Sequence, residues 1–337
     1  MGALLKQESA DRDLDWVAPA TILVLSEYAA GSILAAYVGI PHFVPALTGL
    51  GMTALGISLC AIITFLWQLR KCWVAGDESP LRTIRRKAID NWFHLSVAAF
   101  GCFLLGMHLP AYHQIKVAMP YIAGLWADPM LADLDHAIFG IDPWRLAYLL
   151  PVGAFIDEVY ITWFAVKSIV ILALVASPPS RWKSTGLLSY FLIWATGSLL
   201  LLLLPSGGPI FYERLGFGDR FAELPIMPIA GATANHLWSV HHDPAAAIGS
   251  GISAMPSLHV AFVVWIGLVL HSARAWLKWA GMAFAATIWF GSVYLGWHYA
   301  VDGIAGAILA YAAFRAVGWW LDSSWVAARR GTMIVAG

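Results

Sequence analysis

Eight stretches of this chain are apolar for about 20 residues, the length a helix needs to cross the hydrocarbon core of a bilayer. They predict helices over Trp16–Ile40, Val44–Leu69, Trp92–Ala111, Phe155–Ala176, Thr185–Leu204, Pro256–Ser272, Trp279–Trp297 and Tyr299–Leu321. Pro41 and Pro45 divide the first two, which would otherwise run together without a charge. Two connections are longer than the rest. Tyr112–Ala154 is half apolar and carries Trp126, Phe139 and Trp144, a composition suited to short helices lying at the interface. Pro205–Met255 is rich in Gly and Pro and holds two arginines and three histidines. Loops of this length are more often functional than idle.

Composition narrows the class. Of 337 residues, 60% are hydrophobic and 12% charged, with a mean hydropathy of +0.72, whereas a soluble domain is about 25% charged. That excludes a soluble enzyme, a disordered chain and a nucleic-acid binder with a basic face, and leaves an all-α, polytopic membrane protein. Net charge is zero, which adds no case for an acidic partner. Cys60, Cys72 and Cys102 have no partner at metal-ligand spacing, so neither a disulfide framework nor a zinc site is expected. Glu8, Asp11, Asp13 and Asp15 make the first residues unlike a secretory signal peptide.

Lysine and arginine set the expected orientation. With the N-terminus inside, fourteen of the twenty fall on inner segments and four on outer ones: Lys116, Arg145, Arg214 and Arg220. Both termini are therefore expected in the cytoplasm. The chain divides into two spans with a basic inner loop (1–91), six further spans (92–321) and a cytoplasmic tail (322–337). Lys167 and Glu27 fall near mid-bilayer, where a charge needs a partner, and a buried pair between them is expected. Asp157 and Glu158 open the fourth span and could face an outer pocket.

Nine of the eleven histidines fall on or near the outer side, which points to an outward-facing polar site. Two stand at the mouths of spans. His259 closes Ser253-Ala-Met-Pro-Ser-Leu-His259, and His298 lies in Gly296-Trp-His-Tyr-Ala-Val-Asp302. His298 and Asp302 are four residues apart and share a helix face. A carboxylate there can take the proton of one ring nitrogen and fix the tautomer, leaving the other nitrogen as nucleophile or base. Pro256 suits a first helical turn, whose free amides, with the Ser257 hydroxyl, would make an anion site.

The segments Ala254-Met-Pro-Ser-Leu-His259 and His298-Tyr-Ala-Val-Asp302 together resemble the type 2 phosphatidic acid phosphatase superfamily. The Leu before His259 and the His-Tyr-x-x-Asp ending are similar to its inositol phosphorylceramide synthase branch. Pro205-Ser-Gly-Gly-Pro-Ile-Phe-Tyr212 lies where that branch has a Pro-rich, aromatic outer loop, which points to Gly208 and Tyr212 as substrate-loop residues. The resemblance covers about Trp92–Leu321 and implies a six-helix catalytic core with its site at the outer face. It implies phosphoryl transfer without metal or other cofactor. His298 attacks phosphorus and becomes phosphorylated, Asp302 orients it, and His259 protonates the leaving oxygen and then activates the acceptor. The partners implied are a lipid phosphate or phospholipid and a hydroxyl acceptor, within the bilayer.

The chain also departs from the superfamily pattern. Gly291 and Ser292 stand where many members have a Ser-Arg pair, and the Lys…Arg-Pro motif is missing. A phosphate needs compensating cations, and Arg214 and Arg220 lie in the only outer loop long enough to fold back over the site. Hydrolysis of a lipid phosphate or polyprenyl pyrophosphate is the rival within the enzyme class. A haem-binding electron carrier with two axial histidines, or a transporter, are the rivals outside it. Should chelators inhibit, His236, His241, His242 and Asp243 become the expected metal ligands.

Overall fold

The computed structural model describes residues 14–39, 43–241, 243 and 250–335, all in helices or irregular connections, with no strand among them. In chain order the helices are α1 (Val17–Val38), α2 (Phe43–Val74), α3 (Pro80–Asp90), α4 (Trp92–Ile122), α5 (Asp128–Phe139), α6 (Pro143–Ala147), α7 (Gly153–Tyr160), α8 (Thr162–Ala176), α9 (Arg181–Leu203), α10 (Pro228–Ser239), α11 (Leu258–Ala273), α12 (Lys278–Tyr294) and α13 (Ala300–Val335). Six stretches are long and apolar enough to span a bilayer: Val17–Val38, Leu47–Val74, Trp92–Ile122, Gly153–Ala176, Arg181–Leu203 and Ala300–Ser323. α11 and α12, of 16 and 17 residues, run alongside them. The large apolar side chains Ile22, Leu25, Ile33, Ile62, Ile63 and Ile308 all point outward and are more than half exposed. Water would not tolerate so broad an apolar surface; lipid is its natural solvent. The protein is a multi-pass, all-helical membrane protein.

Two packing layers set the site. α11 is central and packs on α9, α12 and α13, and α4 carries both α1 and α2 on its other side. Between α9 and α11 lies an aromatic core of Tyr190, Trp194, Phe262 and Trp265, with ring centroids 4.7–6.3 Å apart. The Trp265 indole is satisfied by the Gly186 carbonyl and the Ser189 hydroxyl, each at 3.1 Å. Small residues allow the close crossings. A Cβ on Gly281 would stand 2.5 Å from Gly267 Cα, so α11 and α12 touch backbone to backbone there.

The helices depart from the expected spans in three places. α4 continues through Pro110 to Ile122, eleven residues beyond the expected end near Ala111. Proline removes one hydrogen bond and bends a helix, but tight packing against α1 and α2 carries this one on, so Lys116 belongs to a helix and not to a loop. Pro256 lies before α11, not in its first turn; Ser257 is the cap, its hydroxyl accepting the Val260 amide at 3.3 Å. The third departure is the expected ion pair. Glu27 does not meet Lys167. Its carboxylate contacts His108 Nδ1 at 2.7 Å and accepts the Ser198 hydroxyl at 2.6 Å, joining α1 to α4 and α9. The Lys167 ammonium lies over the rings of Trp163, Phe164, Trp194 and Phe262, at 4.8, 4.8, 5.2 and 5.5 Å. Glu27 faces α4 and α9, while Lys167 faces the aromatic core, where desolvated cation–π contacts take the place of a carboxylate.

Glu27→Ala leaves the buried His108 and Ser198 without their shared acceptor, at a cost of about 1–3 kcal/mol. The expected result is a lower thermal midpoint of the purified protein, with Glu27→Gln intermediate because one acceptor oxygen remains.

Candidate active site

The two histidine motifs meet at the end of the bundle that carries the long connections. His259 sits in the first turn of α11, and His298 lies in the turn between α12 and α13. Backbone bonds lock the segment before α11. Ala254 N–H donates to the Ser206 carbonyl at 2.8 Å, Met255 N–H to the Ser206 hydroxyl at 3.0 Å, and Ser257 N–H to the Asp302 carbonyl at 3.0 Å. The two rings then face each other directly, with His259 Nδ1 2.8 Å from His298 Nε2.

Proton positions follow from the partners. His298 Nδ1 lies 2.9 Å from the Ala254 carbonyl, which can only accept, so Nδ1 carries the proton. Nε2 of the neutral ring is then a lone pair, and it accepts from His259 Nδ1–H. The tautomer was expected to be set by Asp302. That carboxylate instead stands 3.6 Å from His298 Nδ1, accepts the Tyr299 amide through Oδ2 at 2.9 Å, and leaves buried Oδ1 without a hydrogen-bond partner. A backbone carbonyl fixes the proton, and Asp302 supplies a negative charge beside the ring.

The His298 motif and the 207–208 backbone are held by carboxylates from α5, which the sequence reading treats as interfacial. Buried Asp128 accepts the Gly207 and Gly208 amides, each at 2.7 Å, and the Tyr299 hydroxyl at 2.8 Å. Two turns further along the same face, Asp135 accepts the Ala300 and Val301 amides at 2.7 and 2.9 Å, capping α13. Burial raises both carboxyls against the downward pull of these amides, Asp135 to about 6. Gly208, at φ +95°, has its place by conformation: a Cβ there would strike the Trp297 carbonyl. On the cavity's other side, Asp157 accepts the Ile229 and Ala230 amides at 2.7 and 2.9 Å and so ties down the start of α10.

The rings open onto a cavity of about 320 Å³. Its polar lining is His259, His298, Lys116, Asp157, Tyr160, Thr233 and Ser253. Its apolar walls include Trp163, Phe164, Phe211 and Trp297. The expected residues distribute unevenly around it. His259, His298 and Asp302 come together. Ser257 is buried as the α11 cap and does not line the cavity. Arg214 donates to Asn235 at 2.6 Å. Arg220 donates to Asp133, Asp142 and the Ala132 carbonyl at 2.6–3.2 Å, and those acids hold its guanidinium firmly protonated. Neither arginine lines the cavity. Tyr212 packs against Phe217 and Phe221, and Gly208 serves through its amide. Leu258 packs on Gly197 of α9, away from the rings. Of the alternative metal ligands, His242 lies outside the described residues, and among those described no three His, Cys, Asp or Glu side chains gather as a metal centre.

Helical bundle, paired histidines and neighbouring carboxylate define a membrane enzyme of phosphoryl chemistry. The family model of the PAP2 superfamily matches residues 148–316, half of the chain, and the protein belongs to that superfamily of phosphatases and phosphotransferases. No curated protein and no solved structure matches it. The matched segment contains His259, His298 and Asp302. Lys116, Asp128 and Asp135 lie ahead of it.

Folding raises the Asp135 pKa from 3.8 to about 6, so the native state holds this proton more tightly than the unfolded chain. Its contribution to stability is complete below about pH 4 and is withdrawn as pH rises through 6. Thermal midpoints measured between pH 4 and 6.5 are expected to show this slope in the parent and to lose it in Asp135→Asn, which cannot ionise.

Proposed function

We propose that the protein is a phosphotransferase acting on lipid phosphate esters through a phospho-histidine on His298, as in inositol phosphorylceramide synthase-type enzymes, with its site at the outer face of the membrane. One observation carries the reading. His298 Nδ1 lies 2.9 Å from the Ala254 carbonyl, an acceptor only, so the neutral ring is left with a lone pair on Nε2, and Nδ1 of the second histidine stands 2.8 Å from it.

Substrate phosphate displaces that bond and enters between the rings. Its negative charge allows His259 to take a second proton. His298 Nε2 attacks phosphorus and the bond to the leaving oxygen breaks. His259 gives that oxygen its Nδ1 proton, so the first product departs as an alcohol. The phosphorylated ring is cationic, and the Ala254 carbonyl and the Asp302 carboxylate stabilise it from the Nδ1 side. In the second step His259 takes the proton of an acceptor hydroxyl, the oxygen attacks phosphorus and the N–P bond breaks; His298 is again neutral, and His259 returns its extra proton to water as the product leaves.

Transfer rather than hydrolysis is supported by the covering. Gly207, Phe211, α10 and Gly251–Ser253 all line the cavity from the long connection, and Asp157 holds the start of α10 down. A transferase needs such a cover to keep water from the phospho-enzyme. The support comes from this roof and not from Leu258, which faces α9. Haem ligation is disfavoured by the same pair, since directly bonded nitrogens leave no space for an iron between them.

His298→Ala is expected to abolish turnover and the acid-labile phosphate trapped by rapid quench. Asp302→Asn should cost on the order of 10²-fold, as for loss of one electrostatic stabiliser, because the Ala254 carbonyl preserves the tautomer. Near-normal activity of His298→Ala would refute the phospho-histidine route. With phosphatidic acid as donor and a lipid alcohol as acceptor, the phosphomonoester of that alcohol should form together with diacylglycerol and little free phosphate; phosphate release that no acceptor diverts would make the enzyme a phosphatase.

Sidedness has its own check. A cysteine replacing exposed Asp219 should react with a membrane-impermeant thiol reagent in intact cells, above the level of the parent chain. Labelling only after membrane rupture would place the site at the inner leaflet.

A further inference from the structure

The histidine pair accounts for nucleophile and acid, and leaves open what receives the non-bridging oxygens of the phosphate. Arg214 and Arg220 are engaged elsewhere. Two groups in the cavity serve no purpose in the fold. Lys116, from α4, lines the same cavity as both histidines. Among the described residues no acidic side chain pairs with it. Asp157, the carboxylate in the lining, has both oxygens taken by α10 amides. Tyr160 is 6% exposed, and its ring packs 5.4 Å from that of His259. The residue lines the same cavity, and its buried hydroxyl has no hydrogen-bond partner.

A half-buried cation and a buried unused donor, both lining the histidines' cavity, call for an anion. We propose that Lys116 and the Tyr160 hydroxyl form the phosphate-binding half of the site and receive the non-bridging oxygens of the transferred phosphate, an inference that rests on the phosphoryl-transfer reading of His259 and His298. Gly251 is the supporting observation. It stands at φ +91°, and a Cβ on it would lie 3.2 Å from Lys116 Cγ and 3.5 Å from Cδ. The backbone opposite the lysine is therefore bare, and the stem lies against it. Lys167 supports the site from behind: its ammonium sits on the face of Trp163, whose ring in turn packs 4.6 Å from that of His259. It is not itself part of the cavity lining. Lys116 lies outside the family-matched segment, so this chain draws its phosphate cation from a helix that the family model does not cover.

The test measures anion binding apart from turnover. Orthovanadate, a phosphate mimic, is titrated calorimetrically into the purified full-length protein in detergent. Lys116→Met and Tyr160→Phe should each weaken binding, the lysine by roughly 10- to 100-fold, as expected for a hydrogen bond to a charged group. Lys116→Arg should restore most of it, which a merely structural role would not predict. Short-chain phosphatidic acid should compete with orthovanadate if the site takes lipid-borne phosphate, and inorganic phosphate alone should compete if it takes the free anion; loss of that competition in Lys116→Met is expected either way. Orthovanadate binding of parent strength in both variants, or no binding by the parent, would overturn the proposal. It would do so even if His298→Ala still abolished turnover, in which case the phospho-histidine reading would stand without it. Thermal midpoints of the variants within the parent's range show that any loss of binding is local.

Discussion

A carboxylate taken into an apolar bundle must be met there by donors, because neither lipid nor packed side chains can replace its water. This protein turns that requirement into architecture. Asp128 gathers the 207–208 backbone and Tyr299, Asp135 caps α13, Asp157 caps α10, and Glu27 joins three helices. Each acid is satisfied by groups far away in sequence, so each fixes a long-range contact with a polarity that only one arrangement satisfies. The catalytic end is therefore held by directional bonds, while the rest of the bundle relies on less specific apolar packing.

That rigidity matters most at the histidine pair. The Ala254 carbonyl can aim at His298 only because the 254–257 segment is bonded to both Ser206 and Asp302. A backbone carbonyl sets a tautomer without adding charge, which suits the role proposed for His298, a ring that would start neutral as a nucleophile and become cationic once phosphorylated. Placing Asp302 at 3.6 Å, close but not the principal partner, keeps its charge for the cationic state. The direct contact between the rings gives His259 Nδ1 and His298 Nε2 a partner in each other.

The spans were legible because hydropathy over 20 residues is a local property. The histidine motifs were legible for the same reason: His298 and Asp302 lie within one helical turn, and His259 follows its own cap by two residues. What escaped was non-local. Asp128 meets partners 79, 80 and 171 residues away, and nothing near it in sequence marks it as other than the acidic start of an interfacial helix. Arg220 was chosen because its loop could reach the site, but Asp133 and Asp142 lie closer and claim it. Lys116 falls on an outer segment in the sequence reading because the apolar stretch from Trp92 ends near Ala111; the helix in fact continues to Ile122, packed on α1 and α2.

The N-terminal pair of helices thereby acquires a part in the chemistry. α1 and α2 touch α4 along its length, and the Glu27–His108 contact fixes α4 eight residues, about two turns, before Lys116. Gly49 and Gly106 let α2 approach α4 so closely that a Cβ on Gly106 would meet the Gly49 carbonyl and the Thr53 side chain. Pro110 removes one hydrogen bond from the middle of α4, and these contacts before it help to hold the direction of the turns that follow. The height of Lys116 over the rings is then set by residues that never approach the cavity. On this view the segment ahead of the family-matched region is no accessory: it holds the one helix that brings a cation to the phosphate side of the histidines.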